Sequence, residues 1–417
     1  MNVIFLDLPR QRNALKPFTL TRPIAGLRVG ILTVEEKWQK RWNPTKNQPS
    51  FSYLTEAYLQ RKFPLTVANE NLLINAAVCP DDSLFEQVAA LQPGQAVVDG
   101  EAFVAASLSE ADATNLAQHH ESDGYSATVE TALSAIAAYE ATAPEASVMQ
   151  LNHTWDIFTH NADQIEQDYA LVTRQRHSQE VTDPYTQLYQ PDRIFIEEGA
   201  VLRAAIINAE AGPVYIGKNA TVHENAVIKG PFAMLEDSHV NIGSKIREAT
   251  TIGPHCKVGG EVKNTVFLAN SNKGHEGFVG NSVVGEWCNF GADSNTSNLK
   301  NNYQFVRLWH YGQQDYENTG LQFCGLMMGD HSKCSINTMF NTGTVVGVFA
   351  NIFGTGFPAK FVPSFTWGGV QESVLYDFDK AIAVFERVLA RRGVSLSTAE
   401  SDILRHLFEQ RFAEQSS

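Results

Sequence analysis

Three groups of residues in this chain have the types and spacing to do chemistry. The first is a histidine in a glycine-flanked block, Gly274-His275-Glu276-Gly277-Phe278-Val279-Gly280, followed by Asn289 in NFGA and Asn298 in TSN. An imidazole titrates near neutrality, so His275 is suited to take a proton from a nucleophile. Without its flanks it reads as a turn histidine satisfied by backbone. The second group is cationic: Arg10, Arg12, Lys16 and Arg22, interleaved with Thr19 and Thr21, in DLPRQRNALKPFTLTRP. This stretch follows a strand-like VIFLDL and contains no glycine. It would hold phosphate by charge and hydroxyls rather than in a cradle of backbone N–H groups. The third is the stretch 296–322, where Lys300 and Arg307 sit among Tyr303, Phe305, Trp309, Tyr311 and Tyr316. Aromatics at that density favour a covered surface over free solvent, and the two cations are suited to phosphates. His239, His255 and His331 lack the spacing and carboxylate company of a metal site. The five cysteines, Cys79, Cys256, Cys288, Cys324 and Cys334, form no CxxC pair, so neither a zinc ribbon nor a disulfide framework is suggested.

The elements that must position these residues are set by a period of six. Stepping from Ile216 gives Val222, Ile228, Met234, Val240, Ile246, Ile252 and Val258, all apolar. Four residues after each stand Ala220, Ala226, Phe232, Ser238, Ser244, Thr250, Cys256 and Val262, mostly small. A second run, Met328, Cys334, Phe340, Val346 and Ile352, keeps the period, with Ser332, Thr338, Thr344, Ala350 and Gly356 as companions. Neither a helix nor an alternating strand produces this pattern. A β-helix does, with each hexapeptide forming one short strand and one corner of a triangular coil. Gly217, Gly243, Gly253, Gly285, Gly291, Gly329 and Gly347 each follow an apolar residue, where a turn would favour them. The register loosens over 263–277 and is lost over 296–322, a length that marks a functional loop or a lid.

At 417 residues, with 43% apolar and 19% charged residues, the chain is expected to form more than one domain. Met1–Glu180 alternates strand-like runs (Leu72–Asn75, Ala96–Val98) with helical ones (Ser83–Leu91, Ala127–Tyr139), the pattern of an α/β layer. Ala141–Ala146 reads as a surface loop. Ile194–Gly369 is the β-helix, and 370–417 is a helical extension with amphipathic stretches at Tyr376–Arg392 and Ser397–Phe412. Gly393 would end the first of them, and the pair would cap or flank the coil's open end. The formal net charge of −14 argues against a phosphate-tracking nucleic-acid surface. No run approaches the roughly 20 apolar residues of a membrane span, and the N-terminus has no signal-peptide pattern. The expected location is the cytoplasm, with no membrane partner.

The block GHEGFVGNSVVGEWCNFGADSNTSN resembles the acetyltransferase half of the bifunctional UDP-N-acetylglucosamine pyrophosphorylase/glucosamine-1-phosphate N-acetyltransferase family, without a gap. GPHCKVGGEVKNT resembles that family's E-[VM]-K stretch. Leu15–Pro23, SYLTEAYL and GLQFCGLMMGDHSKCSINTMFNTGTVVG resemble a divergent bacterial branch with a shortened nucleotidyltransferase-like first domain. The resemblance implies a left-handed parallel β-helix (hexapeptide repeats) with C-terminal helices, behind an α/β N-terminal nucleotidyltransferase-like domain. It implies His275 as catalytic base, and Lys263, Asn289 and Asn298 as contacts to the sugar phosphate and its amine. Phe278 stands where the family carries a tyrosine, so that hydroxyl is absent. Ala292, Ser335, Lys300 and Arg307 would meet acetyl-CoA. The family's substrate-binding arginine has no equivalent here; Lys257 is the nearest substitute, as a point charge rather than a fork. In the first domain Arg12, Lys16, Thr21 and Arg22 would take the nucleotide. Asn75, in LLINAAVCP, replaces the family's metal-binding aspartate, and Asn161 matches its second ligand for Mg²⁺.

Three readings stay open. One is an acetyl-CoA-dependent N-acetyltransferase acting on an amino-sugar 1-phosphate, glucosamine 1-phosphate first, coupled to UTP-dependent uridylyl transfer that forms UDP-N-acetylglucosamine. Another is a sugar-1-phosphate nucleotidyltransferase whose β-helix is only structural or regulatory. The last is a non-catalytic sensor of a sugar nucleotide. His275 with Asn289 and Asn298 favours the first. A homotrimer is expected, driven by apolar surface on the flat faces of the coil, with 296–322 crossing to a neighbour's CoA-side cleft.

Overall fold

The computed structural model describes residues 1–42, 48–122 and 124–411. Phe412, the expected end of the last helix, lies outside them. The first domain is built on a six-stranded sheet in the order Ser50–Leu54, Asn2–Leu6, Asn71–Asn75, Ala102–Leu108, Gln95–Asp99, Glu140–Thr142. The first three strands are parallel, and the direction reverses between Asn71–Asn75 and Ala102–Leu108. Asn2–Leu6 is buried along its whole length, as expected of a parallel strand covered on both faces. Helices form at Asp82–Ala89 and Tyr125–Ile136, where the apolar spacing places them. Ala141 and Thr142 belong to the last strand rather than to a loop: they pair in parallel with Ala96 and Val97.

From Gln187–Tyr189 onward the chain winds into a parallel β-helix of three faces followed by two helices. Ile194–Ile196 begins the first face, Val201–Leu202 the second, and Gln187–Tyr189 with Ile206–Asn208 the third. The first coil therefore opens ahead of Ile194. Ile216, Val222, Ile228, Met234, Val240, Ile246, Ile252 and Val258 point into the coil and are at most 1% exposed. With Ala220, Ala226, Phe232, Cys256 and Val262 they form one continuous apolar column, and Ser238, Ser244 and Thr250 are buried beside it. The second run keeps the column as far as Ile352; Gly356 is exposed in a loop, and the register resumes at Val362.

The glycines serve differently from the expectation. At all but the corners after Ile228 and Val258 the left-handed position lies three residues after the inward one, held by Asn219, Asn225, Asp237, Gly243, Ala249 and His255 in turn. Gly243 alone of the seven glycines named above has a positive φ, +68°. Gly253 is required for another reason: a Cβ there would stand 1.9 Å from the carbonyl oxygen of Leu268 in the next coil. Close approach of coil on coil, not turn conformation, fixes it.

Two strands, Glu261–Phe267 and Phe278–Val284, run unbroken around a corner and join the first and third faces into one sheet. The outer side of the first face is covered by the chain's own first domain. Val266, Val283, Met327 and Val345 pack in one core with Val3, Phe5 and Ile74, and Ala233 packs with Ile31 and Ile165. Polar contacts cross the same junction: Arg22 Nη1 reaches Glu286 Oε1 at 2.5 Å, and Arg22 also pairs with Asp330. The helices Phe378–Ala390 and Thr398–Gln410 lie along the coil, with Phe385 and Leu404 in a core shared with Phe349, Phe365, Leu20 and Leu59. Gly393 ends the first of them at φ +68°. The last coil is edged by Ser373–Leu375, which folds back antiparallel on Thr366–Gly369.

Candidate active sites

His275 sits at the corner between the second and third faces, just after Asn272–Lys273. Asp293 N donates to Glu276 O at 3.0 Å and Asn337 N to Ala292 O at 2.8 Å. His275, Ala292 and the Ser335–Ile336 pair thus come from three consecutive coils and stack at one corner. Gly291 allows the stacking, since a Cβ there would lie 2.3 Å from Ile336 N. The His275 side chain is exposed, and exposed aliphatics flank it along the ridge, Ile242 at 67% and Ile336 at 66%.

Beneath the turn lies a residue that the sequence reading passed over. Lys273 occupies an inward position of the coil, 2% exposed, in register between Val258 and Phe290. Its Nζ donates to the carbonyl oxygen of His275. Burial pushes the ammonium down to about 8, with Glu276 opposing. A charge in an apolar column costs free energy unless it is bonded, and the bond it makes is to the turn that carries His275.

The corner between the third and first faces gathers Lys263, Phe278 and Asn298. Lys263 lies opposite Gly280 in the ladder. A Cβ on Gly280 would meet the Phe278 ring at 2.5 Å and Asn298 Nδ2 at 2.8 Å, so the bare backbone lets ring and amide close over it. Asn298 Nδ2 donates to Asn281 Oδ1 at 2.8 Å, and Lys263 Nζ is 3.3 Å from Glu248 Oε1. The strand start at Phe278–Val279, with Phe278 on the outside, separates this corner from that of His275. Asn289 faces elsewhere: it accepts from Asn272 Nδ2 at 2.9 Å and lines a cleft on the second face.

Lys300 and Arg307 are not brought to Ala292 and Ser335 within the chain. Lys300 Nζ donates to Phe305 O at 2.7 Å and Arg307 Nε to Tyr316 O at 3.1 Å. Much of the insertion packs within its own chain. It forms a hairpin, Arg307–His310 with Asp315–Asn318, that folds back on its own chain. Val306 and Leu308 are buried in the core shared with the first domain, and Trp309 stacks on Phe361 at 4.4 Å. Tyr303 and Phe305, ahead of the hairpin, stay exposed at 65% and 52%.

The hairpin roofs a cavity of 990 Å³ at the carboxyl ends of the Asn2–Leu6 and Asn71–Asn75 strands. Open α/β sheets place ligands there. Arg10, Asn13, Asn75 and Asn152 line it from the first domain, His310 and Glu317 from the hairpin. His153, also on the wall, stacks on Trp155 at 4.2 Å, and its hydrogen bond to Asp156 raises its pKa. These side chains carry no fingerprint in linear sequence, because the hairpin supplying half the roof is far from the strands below.

None of the expected nucleotide residues Arg12, Lys16, Thr21 and Arg22 lines this cavity; of the same cationic stretch, Arg10 alone does. Arg12 is 1% exposed and turned inward to Asp7 at 2.7 Å and Tyr58 at 3.0 Å. Thr21 and Arg22 are committed to Asp330 on the coil. Lys16 lines a separate cleft with Tyr58 and Tyr311. Asn75 and Asn161 do not fit a Mg²⁺ site. Asn75 bonds Phe103 O at 3.1 Å and Ala77 N at 3.0 Å, while Asn161 bridges Gly30 N at 2.7 Å and Ala249 O at 2.9 Å. Among the described residues no group of three or more His, Cys, Asp or Glu could hold a metal, and no helix is long and apolar enough to cross a membrane.

Residues 3–177 match the family model for sugar nucleotidyl transferase. The chain is 31% identical over 161 residues to the bifunctional protein GlmU of Wigglesworthia glossinidia brevipalpis, covering 37% of this chain and 29% of that protein. It is 29% identical over 152 residues to a bifunctional sugar-1-phosphate nucleotidylyltransferase/acetyltransferase of Sulfurisphaera tokodaii, covering 32% and 37%. It is 28% identical over 171 residues to the uncharacterized acetyltransferase YaiX of Escherichia coli O6:K15:H31, covering 40% and 74%. The matches to the first two relatives thus span less than two fifths of their lengths. The first domain is thus similar to sugar nucleotidyl transferases, and the chain shares stretches, at modest identity, with bifunctional nucleotidyltransferase/acetyltransferase relatives.

Proposed function

We propose that the chain is an acetyl-CoA-dependent N-acetyltransferase for an amino-sugar 1-phosphate, glucosamine 1-phosphate first. The observation that carries this is the stacking of His275, Ala292 and Ser335 at one corner, one short strand from the Lys263–Phe278–Asn298 corner. In this reading Lys263 takes the sugar phosphate and Asn298 orients the amine. The amine nitrogen attacks the thioester carbonyl carbon, His275 takes the proton, and the Ala292 N–H meets the oxyanion before the thiolate leaves. Phe278 supplies a flat apolar wall in place of a hydroxyl. A second copy would complete the site, because the ridge of Ile242, Ile336 and Met339 beside His275 is exposed. With the first face already covered by the chain's own domain, a homotrimer would have to use this ridge and the third face.

The roofed cavity supports a second role, binding of a sugar nucleotide such as UDP-N-acetylglucosamine. Arg12, Thr21 and Arg22 are spent on internal contacts and Asn75 and Asn161 form no cation site, so binding is favoured there over uridylyl transfer from UTP. The test is thiol release from acetyl-CoA in the presence of glucosamine 1-phosphate, run beside pyrophosphate release from UTP. Thiol release is expected, and in His275→Ala it should fall by about 10²–10⁴-fold. A native protein that releases no thiol, or a His275→Ala protein at full rate, would refute the assignment.

A further inference from the structure

The second face of the coil carries a set of cations that neither of these sites uses. A cleft of 690 Å³ opens between this face and the C-terminal end of the Phe378–Ala390 helix. Lys257 and Lys333 enter it from the coil and Arg391 and Arg392 from the helix end. His239 and His255 stand beside them, and Asp237, 3.7 Å from His255, is the one carboxylate on the wall. The chain as a whole carries −14, so this gathering of positive charge runs against its average. Lys333 Nζ donates to His331 O at 2.9 Å and Arg392 Nη2 to His255 O at 3.0 Å. Both partners are neutral carbonyls. Among the described residues none of the four cations is within ion-pair distance of a carboxylate, and the lining sets all four against Asp237.

Helix C-terminal carbonyls favour cations, which accounts for Arg391 and Arg392. It does not account for Lys257 and Lys333 across the cleft, where each like charge is unfavourable to the others unless an anion lies between them. The rest of the wall suits what a phosphate would be attached to. The Trp287 ring offers a flat apolar surface, with the Arg392 guanidinium 5.8 Å from its centroid. Asn270, Asn272 and Asn289 offer amides.

We infer that this cleft binds a nucleoside diphosphate group, at a site separate from the His275 corner and from the roofed cavity. Lys257, Lys333, Arg391 and Arg392 would hold the pyrophosphate and Trp287 the base. Two molecules carry that chemistry here, coenzyme A and a sugar nucleotide. The inference concerns binding alone and does not depend on acetyl transfer.

Calorimetry on the full chain tests it, with inorganic pyrophosphate, coenzyme A and UDP as separate titrants. Lys257 and Arg391 are exposed, so the double variant Lys257→Gln/Arg391→Gln can be made without disturbing a core. Saturable pyrophosphate binding is expected, about tenfold or more weaker in the double variant; a binding event that Arg10→Gln removes and the double variant spares belongs to the roofed cavity and does not count for the cleft. Tighter binding of coenzyme A than of UDP, lost in the double variant, assigns the site to the coenzyme; the reverse order assigns it to the sugar nucleotide. Absence of saturable pyrophosphate binding overturns the inference, and so does binding that the double variant leaves intact while its thermal transition matches the parent.

Discussion

Lys273 shows how a single side chain can tie the interior of a coil to chemistry at its surface. Its methylenes fill an aliphatic position and its ammonium ends on the His275 carbonyl, so the turn is held from inside. Lys273→Met keeps the filling and removes that bond. Turnover of acetyl transfer should fall about tenfold while KM for acetyl-CoA moves little, since the imidazole loses its orientation but the binding surface stays. Thermal stability should hold or rise, because a buried charge is gone. Equal losses in turnover and in melting temperature would point to a merely structural lysine. His275, the proposed base, stands out in the sequence because its flanks are distinctive. Lys273 was not, for a physical reason. Counting by six from Val258 lands on Asn264, Asn270 and Glu276, whereas the chain itself steps from Val258 to Val262, Phe267 and Lys273. Short corners at Val262 and Phe267, with Asn264 left-handed between them, shift the register, and a period read from sequence does not see a shortened corner.

Among the elements, the hairpin at Arg307–Asn318 is where sequence and structure part most. Its aromatics do mark a covered surface, but the cover is the chain's own coil and first domain. Composition reports that a segment will be buried, not against what. Leu308, 1% exposed, is expected to cost about 2–5 kcal/mol on truncation to alanine, read by urea unfolding. Excision of Asn302–Asn318 should therefore lower the melting temperature and open the roofed cavity, rather than leave a stable protein with slow acetyl transfer. The coil glycines give a second contrast. Gly243→Ala has open space and pays only for its left-handed backbone, about 1–2 kcal/mol. Gly253→Ala must push apart two coils held by backbone bonds, so its loss in urea unfolding should be clearly the larger. Losses in the reverse order would mean that turn conformation governs both. The hexapeptide columns were legible because every inward position obeys one steric rule. The role of each glycine was not, since open corner and tight approach look alike in one dimension.

At the scale of the whole molecule, the junction between the first domain and the coil is a core in its own right, not a linker contact. His331 lies at its edge, 5% exposed, stacked on Phe349 at 4.4 Å and beside Phe385 at 4.3 Å. Burial holds its pKa well below the ordinary value. The unfolded chain takes up a proton near pH 6.5 that the folded His331 refuses. Stability is therefore full above that pH and declines as the pH falls below it, by up to about 1.4 kcal/mol per unit from this group. His331→Phe should flatten the acid limb of a stability-versus-pH curve by that amount, and parallel curves for the two proteins would exclude it. The α/β layer and the coil follow one another as read from the sequence, with the first coil opening at Gln187 rather than Ile194, but nothing in it announced that Val266, Val283, Met327 and Val345, on the outside of the coil, would be dry. Outward positions of a solenoid carry no fixed composition, and only the partner surface gives them meaning. That buried outer face also bears on how the molecule comes into being. Residues 1–177 leave the ribosome first, with Ile31, Ile165 and the Asp156–Thr159 and Asn161–Thr173 helices still lacking the surface they will lie on. Each later coil lays one more strip of that surface down. The first domain is in effect a half-finished interface awaiting its complement, and the complement is assembled strip by strip. Produced singly, residues 1–177 and 178–411 should each expose sticky surface and tend to precipitate; produced together as two chains, they should recover a soluble pair.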